Sequence, residues 1–224
     1  MTTELTKGPR LTSSQTAEHE FVNCEAGPLC ELAQSVRRKA RESAAVQEEL
    51  VRTHADALVA CAVAVAARLA AGGKLLVLGN GGSACDAAHV AVEFMHPVVE
   101  KRPAYAAIAL SNDSALLTAV GNDRDFSLAF ASQLRLLASA KDVVLGISTS
   151  GESANVNRAL QAAREIGALV IGFTGRDGGR MRALCDHAFV APSFSIHRIQ
   201  ECHVLLLHLL WDLVHLARGE QDVL

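Results

Sequence analysis

The stretch "LGNGGSACDAAHVAVEF", residues 78–94, opens with small flexible residues and closes as an amphipathic helical pattern carrying His89 and Glu93. It reads as a strand end, a tight turn and a helix. The turn "GNGGS" has neither the Gly-Lys-Ser/Thr of a Walker A loop nor the GxGxxG spacing of a dinucleotide fingerprint, so nucleotide binding gains nothing from it. On the helix, His89 and Glu93 stand one turn apart and face the same way, which suits joint ligation of one cation. The same spacing also suits an ordinary exposed polar contact, and the pair alone does not choose between them.

Outward from this stretch, the chain alternates. Short apolar runs at Lys74 to Leu78, Tyr105 to Leu110, Val143 to Ile147, Leu169 to Phe173 and His187 to Val190 are separated by helical patterns such as Ala84 to Met95 and Ser153 to Ile166. Strands alternating with helices predict a parallel sheet with helices on both faces, a three-layer αβα sandwich of α/β class. Before the sheet, apolar residues from Leu29 to Ala71 recur at helical spacing, as two helices or one bent helix, and stop at Gly72 and Gly73. A long helix over Arg198 to Ala217 closes the chain. Residues 1–27 are polar and lack a clear period, which predicts a disordered arm ahead of a single domain over 28–224.

Composition narrows the function classes. A chain of 224 residues, half of them hydrophobic, supports one substantial core. A net charge of -3 offers no basic excess for nucleic acid or an anionic membrane. The six cysteines include no CxxC pair and no secretory signal precedes them, so a reducing cytoplasm fits. The most apolar stretch, Ala57 to Ala71, is interrupted at Arg68 and too short to span a bilayer. The apolar leading and closing helices carry more hydrophobic surface than one thin sheet needs, which predicts a homo-oligomer.

In open parallel sheets, ligands sit beyond the carboxyl ends of the strands. The loop in "GISTSGESANV" places Ser148, Thr149, Ser150 and Ser153 around a helix N-terminus, where free N–H groups, the helix dipole and hydroxyls can hold a phosphate without lysine. Simple capping by Ser150 or Ser153 is the alternative. The closing helix "HRIQECHVLLLHLLWDLVHLA" adds Gln200, His203, His208 and His215 among apolar residues, and burial without partners would be costly. Gln200 and His208 lie about 12 Å apart along the axis by the helical rise. Both reach one ion only if their side chains converge.

These motifs together resemble the sugar isomerase (SIS) domain family, and within it the sedoheptulose 7-phosphate isomerases, or phosphoheptose isomerases. The resemblance runs from about Leu29 to Leu216 through "GNGGSACDAAHVAVEF", "RPAYAAIALSND", "TAVGNDRDF", "GISTSGESANV", "FTGRDGG" and "RIQECHVLLLHLLWDLV". It implies a flavodoxin-like five-stranded parallel sheet, a homotetramer and active sites at subunit boundaries. It implies that Ser148, Thr149, Ser150 and Ser153 hold the sugar phosphate, and that Asn80, Gly81, Gly82, Ser83, Asp113 and Gln200 also contact substrate. One zinc ion per site is implied on His89, Glu93, Gln200 and His208. The implied reaction converts sedoheptulose 7-phosphate to D-glycero-D-manno-heptose 7-phosphate for heptose biosynthesis, with Glu93 and His208 carrying protons through an enediol.

The chain departs from the family pattern at three places. Met95, His96 and Pro97 stand where Thr-Gly-Arg is common, His197 replaces a usual aspartate, and Glu152 replaces a usual asparagine and sets a negative charge beside the implied phosphate. Two rival readings follow: an isomerase of another phosphosugar, or a noncatalytic adaptor of the replication-initiator-binding type that recognises a phosphosugar or a protein.

Overall fold

The computed structural model describes residues 28–98 and 102–222; the arm predicted over 1–27 lies outside them. The chain divides into two compact units at Ala40 and Arg41. In the first, the described residues form the start of helix α1, with Leu29, Leu32 and Val36 exposed and Cys30 buried. The second unit, from Arg41, holds the remainder of α1, the sheet and the other helices.

Helix α1 runs over Pro28–Ala70 without a break, longer than the apolar run in the sequence suggests. By length and composition its part from Leu29 to Ala70 could cross a membrane. From Leu50 onward, however, its inward stripe of Leu50, Leu58, Cys61, Ala62, Val65 and Leu69 is packed into the core. The strands are β1 (Leu75–Gly79), β2 (Ala107–Ala109), β3 (Val143–Ser148), β4 (Leu169–Gly175) and β5 (His187–Ala191). Between them lie helices α2 (Gly82–Met95), α3 (Ser114–Asp123), α4 (Ala129–Leu137) and α5 (Ala154–Ile166), and α6 (Ile196–Ala217) follows.

All strand pairs are parallel and the order is β2-β1-β3-β4-β5. Side chains alternate across the sheet as the pleat demands. Leu75, Val77, Leu145, Ile147, Ile171 and Phe173 join α1, α2 and α6 in one core layer. Leu76, Leu78, Val144 and Val170 join Phe130, Leu134, Val156 and Leu160 of α4 and α5 in the other. This is the three-layer αβα arrangement, with five parallel strands and long helices at both ends of the described chain.

The order also places the ligand crevice. From β1 the chain goes one way to β2, then crosses to the other side for β3, so the topology reverses between β1 and β3. In such sheets the gap beyond that point binds ligands. At the opposite end of the sheet, buried Asp142 accepts hydrogen bonds from the Lys74 backbone and ammonium groups and from Ser139. Burial pushes its carboxyl up, but the bonds from Lys74 and Ser139 outweigh that and hold it below its ordinary value. The edges are short or covered: β2 has three residues, and the Val190 N–H of β5 donates to Nε2 of His54 on α1 at 3.4 Å.

Candidate active site

Two loops meet over the crevice. The β1–α2 turn is drawn tight because Gly79 packs against Ser83, whose N–H donates to the Asn80 carbonyl at 3.0 Å. Gly81 adopts φ +55° at the start of α2, which receives no side-chain cap. From the other loop, Asn155 of α5 faces Asn80. The two carboxamides exchange Nδ2–H···Oδ1 bonds of 2.8 Å in both directions, fastening the loops across the crevice.

In the serine loop, Ser153 is the N-cap residue of α5 but makes no capping bond with its side chain. Its hydroxyl instead lies 3.0 Å from that of Ser148, which is buried. Ser150 accepts from the Glu152 N–H at 3.2 Å, a turn contact rather than a helix cap. The simple capping alternative therefore does not describe these hydroxyls, and the first N–H groups of α5 keep no side-chain partner at Ser153. Gly151 turns the loop with φ +66° where a Cβ would collide with the Gly178 carbonyl.

Glu152, whose charge beside a phosphate looked unfavourable in sequence, is paired. Arg180 donates to it through its backbone N–H at 2.7 Å and through Nε at 2.6 Å. These bonds, the backbone one foremost, hold the Glu152 carboxyl below its ordinary value. Asp113, after β2, caps α3 by accepting from the Leu116 N–H at 2.9 Å.

Helices α2 and α6 pack side by side and bring His89, Glu93 and His208 together. One ligating atom from each lies within 4.8 Å of the other two. His89 Nε2 stands 3.3 Å from Glu93 Oε1, and the His89 and His208 rings meet edge to face at 5.0 Å. Two imidazoles and a carboxylate, converging without a lysine or arginine among them, are a donor set that suits zinc.

Gln200 lies two turns earlier on α6, with its amide against Gly82 at the start of α2. Only a glycine leaves it that place. A shallow cleft of about 360 Å³ runs there, lined by Gly82, Asp86, His197 and Gln200 among others. His203 and His215, the other two residues that the sequence marked on α6, are structural. Buried His203 meets the Thr174 carbonyl at 3.2 Å, and buried His215 packs against Tyr105 and Trp211.

The sequence reading missed Asn155 and Asp86. Asn155 gives no periodic signal, since its role depends on a partner 75 positions away. Asp86 was more accessible, because it precedes His89 by one helical turn on the same face. Burial raises its carboxyl above the ordinary value, only partly offset by His89, and its Oδ2 has no hydrogen-bond partner.

Residues 40–175 match the family model described as SIS domain. A phosphoheptose isomerase of Desulfovibrio desulfuricans is 48% identical over 174 residues, 78% of this chain and 83% of that protein. The structure of a phosphoheptose isomerase from Neisseria gonorrhoeae superposes with a TM-score of 0.77 at 40% identity, covering 82% of this chain and 98% of that one. One from Francisella tularensis gives 0.79 at 34% identity, with the same coverage of each. The chain therefore belongs to the SIS domain family and, within it, to the phosphoheptose isomerases.

Proposed function

We propose that this chain is a cytoplasmic, zinc-dependent aldose–ketose isomerase that converts sedoheptulose 7-phosphate to D-glycero-D-manno-heptose 7-phosphate, for heptose biosynthesis. The observation that carries the reading is the convergence of His89, Glu93 and His208 in a chain 48% identical to a phosphoheptose isomerase.

In this reading the phosphate sits at the N-terminus of α5, held by backbone N–H groups and by Ser148, Thr149, Ser150 and Ser153. Arg180 supports it indirectly by neutralising Glu152. Asn80, Gly81, Gly82, Ser83, Asp113 and Gln200 serve the sugar. His89, Glu93, Gln200 and His208 would hold the zinc. When bound, zinc would polarise the substrate carbonyl and stabilise the enediolate charge.

Glu93 takes a proton from C1 of the ketose and returns it to C2, while His208 moves the hydroxyl proton from O1 to O2, so the carbonyl passes from C2 to C1. Glu93 is asked to be both ligand and base. Its two carboxylate oxygens can divide these tasks.

The exposed apolar residues of α1, including Val59 at 50% and Val63 at 56%, support a homo-oligomer, which we propose is a tetramer with sites at subunit boundaries. Light scattering showing a monomer at working concentration would contradict it.

The test is turnover of sedoheptulose 7-phosphate with zinc, followed as aldose formation or as solvent deuterium entering the sugar. Glu93→Gln should lower kcat by roughly 100- to 10,000-fold, and His89→Ala should purify without zinc while retaining its fold. Absence of turnover in the parent protein would sink the reading. Turnover of only a different ketose phosphate would move the substrate assignment.

A further inference from the structure

Three carbonyls in the last turn of α2 are met by donors of three different origins. Val92 accepts locally from the His96 N–H at 2.8 Å. Phe94 accepts from the Tyr105 N–H at 2.8 Å, where the chain returns toward β2. Between them, the Glu93 carbonyl would ordinarily accept from residue 97, but residue 97 is proline and has no N–H. Its donor is instead the indole Nε1–H of Trp211, at 2.9 Å, from the middle of α6.

Trp211 is itself fixed. It is 7% exposed, and the Arg102 guanidinium lies over its ring at 4.7 Å. Arg102 is held in turn by Asp212 at 2.7 Å, and His215 packs on the indole at 4.8 Å. Thus the backbone of the residue that carries the proposed base is anchored to α6, the helix that carries His208. The bond replaces the one that Pro97 removes.

We propose that Trp211 is a positioning residue for Glu93: its indole N–H, pairing with the carbonyl that Pro97 leaves without a donor, sets the Glu93 carboxylate against His89 and His208. The inference rests on the site reading given above.

Its test uses a convenience of the sequence, which contains a single tryptophan. In the parent protein the one indole N–H resonance should exchange with deuterium far more slowly than free indole. Fast exchange overturns the proposal whether or not any variant folds. Trp211→Phe, which keeps the ring packing and removes the donor, should lower kcat about ten-fold with KM within two-fold, as a small displacement of a reacting group does.

Pro97→Ala restores an N–H at position 97 and frees His96, at φ −137° and ψ 70°, from the bias that a following proline sets against helical geometry. With His96 turned helical, the double variant P97A/W211F should recover kcat to within about two-fold of P97A. A merely structural role for Trp211 would instead lower thermal stability without this rescue, and that result also overturns the proposal. Loss of turnover in E93Q beside parental kcat in W211F overturns the positioning alone. Full turnover in E93Q would remove the site reading beneath it.

Discussion

Helices α2 and α5 both begin at the crevice between β1 and β3, on opposite faces of the sheet, yet they end by different means. Helix α5 terminates itself. Gly167 adopts φ +85°, and its N–H returns to the Ala163 and Arg164 carbonyls four and three residues back. Helix α2 ends at a proline, and the carbonyls of Glu93 and Phe94 are satisfied by residues 118 and 11 positions further along the chain. The self-terminated helix carries the proposed phosphate end. The helix that needs the rest of the protein to finish it carries His89 and Glu93.

This difference can be broken from either side. The largest effect should come from the start of α5. Gly151→Ala forces a Cβ onto the Gly178 carbonyl at a positive φ, so backbone must move. We expect a loss on the order of 3 kcal/mol in stability, measured by urea unfolding, and a KM for the phosphosugar raised more than kcat is lowered. An unchanged KM would detach the serine loop from the substrate.

Next comes acid. Burial lowers His203 and His215 to about 4, with the nearby Arg102 charge adding to the effect at His215. Both are neutral in the folded chain, while in the unfolded chain they take up protons below their ordinary value of 6.5. Their contribution is therefore complete above about pH 6.5 and is lost as pH falls toward 4. Each pKa unit is worth about 1.4 kcal/mol, so Tm should drop by several degrees between pH 7 and 5. His215→Phe removes two ring nitrogens that have no hydrogen-bond partner, and it should flatten that drop.

The smallest effect should come from the far end of α5. Gly167→Ala meets only an ordinary contact with Ala140 but keeps a positive φ. It should cost about 1 kcal/mol and leave kcat and KM unchanged. A kinetic effect there would erase the contrast between the two helices.

The same contrast explains what was legible in the sequence. Strand and helix alternation predicted the sheet, and its observed strands begin and end within about two residues of the apolar runs. Helix α5 was legible at both ends, because Ser153 and Gly167 are local signals. Helix α3 was not singled out, since its short apolar stripe of Leu117 and Val120 is only half-buried and none of its residues is fully buried.

In the site, His89 and Glu93 could be paired from their spacing alone, and His208 joined them through the family resemblance. The Asn80–Asn155 pair and the Trp211–Glu93 bond were hidden, because each joins residues with no local relation. Pro97 was visible as a departure from the family pattern. Its meaning required knowing which donor replaces the one it removes.

The His54 contact on β5 bears on how the protein behaves among its own copies. An outer strand with free N–H groups is a template on which another molecule can pair, and the imidazole occupies one of those groups at Val190. Burial keeps His54 below its ordinary value, so it accepts that bond at neutral pH. Protonation would turn the acceptor into a donor and uncover the strand. Acid thus threatens solubility at a place remote from the chemistry.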